Sequence, residues 1–168
     1  MSQTLGRYPD VEVKARFSSS SRPLPSSAAK SAEMARLGRR DTAPELAIRS
    51  ELHRRGLRFR VDRAPIPGLR SRADIVFGPA RVAVYVDGCF WHSCPEHGTR
   101  PKANAEWWEQ KLRRNQERDA ETDRALRENG WEVVRVWEHE DPIAAADQIH
   151  GVLRARLQAK KRLGVIRA

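Results

Sequence analysis

At 168 residues, with 32 Lys plus Arg against 22 Asp plus Glu, the chain carries a formal charge of +10. That length makes one ordinary domain with a real core, and the arginine-led excess fits a phosphate-bearing partner, nucleic acid first, with a solubilising basic surface as the bland alternative. No apolar run nears the roughly 20 residues of a membrane span and no secretory hydrophobic region opens the chain, so membrane function is excluded and a reducing cytoplasm is expected.

Residues 1–29 include "FSSSSRPLPSSAA" and are expected to form a flexible Ser/Pro-rich segment. Structure should begin near Lys30, where "KSAEMARLGRRDTAPE" reads as a short basic helix and a turn. Thr42 and Glu45 predict a capping box with Pro44 in the first turn, opening a helix that stops at Gly56. Three strands should follow, at 57–61, 73–77 and 81–86, the last two joined by the tight "GPA" turn. A charged helix over 105–129 ends at Gly130, and "WEVVRVW" (131–137) is valine-rich enough to predict a central strand. A last helix runs from about Ile143 to Lys160, leaving a tail over 161–168. The pattern predicts an α/β domain over 30–160, a mixed sheet flanked by helices.

Asp74 opens an otherwise apolar strand, where a carboxylate is costly to bury without a donor or cation. Pairing with Arg70 or Arg72 would satisfy it; ligation of Mg²⁺ is the functional alternative. Asp87 ends the adjacent strand, and an antiparallel pair would set it at the same end as Asp74. Glu45 either completes a water-mediated shell there or simply closes its capping box. His92, close behind, is the candidate proton-transfer group of a phosphodiester hydrolase.

Both cysteines of the chain fall in "DGCFWHSCPEH". Cys89, Cys94 and His97 supply three zinc ligands within nine residues, and the fourth must come from His92, His139, His53 or His150. His139 lies in a loop after a strand, and choosing it leaves His92 free for chemistry. A disulfide or free thiols with incidental histidines is the alternative. Phe90 and Trp91, being consecutive, cannot share one face of a strand, but on a metal-braced loop they can act as a wedge that unstacks a weakened duplex, with capping of the local core as the alternative. In the long helix, Trp108, Leu112 and Leu126 read as inward, with Asn115 and Asp119 as polar interruptions. Asn115 or Arg118 is a candidate for reading a base edge or holding a phosphate, with solvent or salt-bridge partners as the alternative.

"RADIVF", "VYVDGCFWHSCPEHG", "EWWEQKLRRNQERD" and "GWEVVRVWEHE" together resemble the very-short-patch-repair DNA mismatch endonucleases, Vsr-type nickases, from about Lys30 to Leu157. The resemblance implies a restriction-endonuclease-like core, a structural Zn²⁺, and Mg²⁺-dependent nicking 5′ to the thymine of a T:G mismatch left by 5-methylcytosine deamination. It places the metal-binding aspartate on Asp74, a metal-bound backbone carbonyl on Val86, the water-ordering glutamate on Glu45 and the proton-transfer histidine on His92. The wedge falls on Phe90, Trp91 and Trp108, and a methionine inserted from the other groove on Met34. Zinc falls on Cys89, Cys94, His97 and His139.

Two departures matter. The zinc ligand types differ, with Cys94 at a histidine position and His97 and His139 at cysteine positions, although two Cys and two His still suit zinc. Asp87 stands where the family pattern has a phosphate-facing histidine, which makes it a possible second metal ligand. The implied partner is double-stranded DNA with a T:G mismatch, bound by a monomer associated with mismatch repair or a cytosine methylase, in a bacterial cytoplasm at the nucleoid. The rival readings are a restriction-fold defence nuclease acting on unmismatched DNA, which Asp87 slightly favours, and a non-catalytic zinc DNA-binding module.

Overall fold

In the computed structural model the described residues are 40–162 and 164. The Ser/Pro-rich segment, the basic helix expected from Lys30 and Met34 lie outside them. The elements, in chain order, are α1 (Ala43–Arg54), β1 (Arg60–Arg63), β2 (Ala73–Phe77), β3 (Val82–Asp87), α2 (Ala105–Glu128), β4 (Glu132–Trp137) and α3 (Pro142–Arg162). One sheet runs in the order β1-β2-β3-β4, antiparallel through β3 and parallel between β3 and β4. A parallel neighbour needs a crossover, and the 24 residues of α2 supply it.

Helices cover both faces of the sheet. On one, Ile48 and Leu52 of α1 and Ile149 and Leu153 of α3 pack on Ile75, Val82, Val84, Val134 and Val136. On the other, Leu126 of α2 packs with Val76, Ala83 and Tyr85, flanked by Trp131 and Val133. Gly56 and Gly130 take positive φ (72° and 75°) just beyond α1 and α2, and these left-handed positions are why both helices stop where glycine stands.

Four local expectations change. β4 lies at the sheet edge rather than its centre. Its valines report two helix-covered faces, not pairing on both sides, because Val134 and Val136 face one helical layer and Val133 the other. The strand expected at 57–61 pairs only from Arg60 to Arg63. Leu57 and Phe59 pack on the core ahead of the paired segment, so apolarity there reported burial and not strand pairing. The final helix extends through Arg162, into the expected tail. At the start of α1, Thr42 makes no side-chain cap. Its hydroxyl instead donates to Glu45 Oε1 (3.0 Å), while Glu45 Oε2 accepts the N–H of Asp41 (3.0 Å), one residue before the expected capping-box partner.

Candidate active site

Parallel pairing of β3 with β4 builds the first half of the site. Asp87 is in register with Trp137, so the chain leaves both strands at the same end of the sheet, and Cys89 and His139 each follow by two residues. Glu138 ties the two exits together: its N–H donates to the Asp87 carbonyl (3.0 Å) and its Oε1 accepts the Cys89 N–H (2.6 Å). Cys89 Sγ lies 3.0 Å and Cys94 Sγ 3.8 Å from His139 Nδ1, and one donor atom from each of Cys89, Cys94, His97 and His139 falls within 4.8 Å of all the others.

Tetrahedral zinc with sulfur and nitrogen ligands sets such atoms about 3.5 Å apart, so the donor set fits that ion. Both cysteines are free thiols, which removes the disulfide alternative. Burial, with Cys94 beside it, pushes the Cys89 thiol up to about 11, and binding of a cation is what would displace that proton. Gly98 closes the loop: a Cβ there would lie 2.4 Å from the Cys94 carbonyl oxygen, an approach that only glycine permits.

The second half comes from the antiparallel β2–β3 pair. Asp74 accepts the Val86 N–H through Oδ2 at 2.8 Å, while Arg72, one of its suggested partners, bonds Asp62 instead. Burial lifts the Asp74 carboxyl to about 6; the Val86 N–H pulls it down, and the charges of Glu45 and Asp87 push it further up. Glu45, buried on α1, is held by Arg49 Nη2 (2.7 Å), and Arg49 also reaches Asp41. Asp87 is buried with both carboxylate oxygens accepting from Arg135 Nη1 at 2.8 Å. A second-ligand role for Asp87 therefore meets a carboxylate that is already paired.

His92 sits next to this group. Its Nδ1 is 2.5 Å from Asp119 Oδ2 on α2 and 3.7 Å from Asp87 Oδ1. Burial opposes the imidazolium, yet the Asp119 hydrogen bond and the nearby charges of Asp87 and Asp119 outweigh it and raise His92 above the usual imidazole value. Nε2 has no hydrogen-bond partner among the described residues. Read from sequence as an interruption of an apolar face, Asp119 is the residue that orients His92.

Phe90, Trp91 and Trp108 form a half-buried aromatic trio. Phe90 is 5.1 Å from Trp91 and 5.2 Å from Trp108 between ring centroids, and Trp91 is 6.0 Å from Trp108. Trp107 adds a fourth ring, 4.8 Å from Trp108. Asn115 is buried, donates to the Trp91 carbonyl (3.0 Å) and accepts from Arg118 (3.1 Å). These bonds make Asn115 a brace for the Trp91 loop and match the alternative of local partners for it. Arg118 is exposed and keeps its place as a candidate phosphate contact.

A mixed sheet flanked by helices, with clustered carboxylates and a Cys/His loop at one end, defines a restriction-endonuclease-like fold with a candidate Cys₂His₂ metal site. Residues 25–96 match the family model described as DNA mismatch endonuclease Vsr. The chain is 46% identical over 134 residues to type II nicking enzyme V.NaeI of Lentzea aerocolonigenes, covering 76% of this chain and 81% of that protein. It is 42% identical over 105 residues to type II nicking enzyme V.XorIIP of Xanthomonas oryzae, covering 60% and 73%. It is 38% identical over 112 residues to DNA mismatch endonuclease Vsr of Escherichia coli K12, covering 66% and 70%. The chain belongs to the Vsr family of DNA mismatch endonucleases, and it is a DNA endonuclease of the nicking type.

Proposed function

We propose that the protein nicks one strand of duplex DNA 5′ to the thymine of a T:G mismatch, with Mg²⁺ at Asp74, a structural Zn²⁺ in the Cys₂His₂ loop, and a monomer as the active unit. The observation that carries this reading is the convergence of Asp74, Val86, Asp87 and His92 at one sheet end beside a half-exposed aromatic trio. Asp74 suits a hard cation, being a mostly buried carboxylate whose one hydrogen-bond partner among the described residues is the Val86 N–H. Mg²⁺ held by the Asp74 carboxylate and the Val86 carbonyl would offset charge developing on the phosphate.

Glu45, fixed by Arg49, orders water on the α1 side of that carboxylate. His92, with Nδ1 held by Asp119, offers Nε2 for passing a proton. Water adds to phosphorus as the P–O3′ bond breaks; a proton passes to O3′, leaving a 3′-hydroxyl and a 5′-phosphate. Arg118 holds a backbone phosphate. The excess of positive charge steers DNA to the surface, and no described helix is long and apolar enough to cross a membrane. The bacterial relatives fit a cytoplasmic, nucleoid-associated repair role alongside a cytosine methylase.

A labelled hairpin carrying T:G, its T:A control, and Mg²⁺ or EDTA test the reading. Nicking is expected only with T:G and Mg²⁺. Equal cleavage of T:A in Mg²⁺ would point to a defence nuclease, and binding without cleavage in any divalent ion to a zinc binding module.

Mismatch selectivity is assigned to Phe90, Trp91 and Trp108. Unstacking costs least where a mismatch has already weakened the duplex, and each stacked aromatic contributes about 1–3 kcal/mol. Replacing Phe90 and Trp91 by Ala is expected to weaken T:G binding at least about tenfold while T:A binding, resting on phosphates, changes little. Zinc content should hold and the melting loss should be small, because the rings are only half buried. A large melting loss with unchanged T:G over T:A preference would assign the pair to the core instead.

A further inference from the structure

Arg135 comes from edge strand β4 and no step above uses it, yet it is the most heavily engaged cation near His92. Nη1 bonds both oxygens of Asp87 at 2.8 Å, and Nη2 lies 3.0 Å from Asp123 Oδ1 and 3.6 Å from Asp119 Oδ1. Its guanidinium carbon sits 4.8 Å over the Tyr85 ring, which fixes the plane of the fork. Three carboxylates thus converge on one side chain, and two of them, Asp87 and Asp119, are also the two that face His92 Nδ1.

We propose that Arg135 is the positioning residue of His92, acting by engaging Asp87 so that the imidazole bonds Asp119 alone. Nδ1 can satisfy one acceptor at a time. Asp119 holds it at 2.5 Å, while Asp87, at 3.7 Å, is drawn off by two hydrogen bonds to the guanidinium. Without that fork, Asp87 becomes a buried, unpaired carboxylate next to the ring, and the ring turns toward it. Nε2 then leaves the direction that Asp119 sets. The same geometry explains how an aspartate is tolerated at position 87: Arg135 is its counter-ion, and Asp87 belongs to the support of His92 rather than to the cation at Asp74. Lysine could supply the charge but not the planar fork that spans Asp87, Asp119 and Asp123.

This inference rests on His92 being the proton-transfer group, so wild-type protein is first run on matched and mismatched duplexes and all variants are compared on whichever it cuts. Failure of the mismatch reading then leaves this test intact. R135Q is expected to lower the single-turnover nicking rate at saturating protein by about 10–100-fold, with DNA affinity within about threefold of wild type and zinc content unchanged. R135K should fall between the two. Adding D87N to R135Q removes the carboxylate that competes for Nδ1 and should recover at least about fivefold in rate, a gain that a purely structural role does not predict. An R135Q rate near wild type overturns the proposal. So does a loss shared equally by rate, affinity and melting temperature, or a double variant no faster than R135Q. Should R135Q fail to fold, R135K with and without D87N carries the same comparison: a slower rate at unchanged affinity with recovery by D87N supports the proposal, and an unchanged rate overturns it.

Discussion

Asp74→Asn should abolish Mg²⁺-dependent nicking and, in metal-free protein near neutral pH, make the fold more stable. The two effects have one cause. Burial raises the Asp74 carboxyl to about 6, above the 3.8 of an exposed aspartate, so folding binds its proton more tightly than unfolding does. Well below pH 4 the group is protonated in both states and carries no penalty. As pH rises from about 4 to about 6 the unfolded chain ionises first, and the folded state loses about 2–3 kcal/mol relative to the Asn variant. The gain of Asp74→Asn should therefore be present at pH 7 and vanish well below pH 4, as thermal melts in EDTA would register. Mg²⁺ should narrow the gap by favouring the wild-type carboxylate. A variant that still nicks near the wild-type rate would move the cation elsewhere, and one that melts lower at pH 7 than at pH 4 relative to wild type would contradict the burial argument.

Loss of the Cys₂His₂ ion should be the larger structural insult. Cys89 to His97 is a loop of turns in which only the two cysteines are buried; Glu138, Asn115 and Asp119 tie Cys89, Trp91 and His92 to the rest of the fold, and an ion would join its Cys94–His97 end to His139. Cys94→Ala should give protein with well under one zinc per chain and a melting point lower by roughly 10 °C or more, since structural zinc contributes directly to folding. The loop carries Phe90, Trp91 and His92 on the same backbone, so nicking should fall with the metal. Metal analysis of wild-type protein is expected to return about one zinc per chain. A zinc-free protein with full melting temperature would contradict the assignment.

The features legible in the sequence were those set by local pattern. "ADIVF" gave β2 to the residue, the glycines gave the helix ends, and the start of β2 beside the end of β3 followed from a tight antiparallel turn. The four members of the candidate metal cluster were readable because three are close in sequence and the fourth follows a strand. The polar support of His92 was not. Asp119 and Arg135 are 27 and 43 residues beyond His92; Asp119 meets the ring because α2 crosses the sheet face, and Arg135 meets Asp87 beside it because β4 pairs in parallel with β3. A single carboxylate on a charged helix carries no sign of that meeting. A charged residue interrupting an otherwise apolar strand was the one available signal for Arg135. Glu138 went unread for the same reason, since it acts through a tertiary contact on the Cys89 N–H, whereas Arg49 lies one helical turn from Glu45 and its pairing was open to a local reading. β4 was misplaced in the sheet because apolar composition measures coverage of its faces and says nothing about its edges.

The central claim is that cleavage is confined to one strand at one mismatch, and strand-resolved nicking tests it most directly. A T:G duplex with a different fluorophore on each strand is incubated with zinc-loaded protein and Mg²⁺ under single-turnover conditions, and both strands are sized on one denaturing gel. The expected result is one product from the T-containing strand, ending immediately 5′ to the thymine, with the G-containing strand intact and the T:A duplex uncut. Cutting of both strands, or equal cutting of T:G and T:A duplexes, would contradict the account.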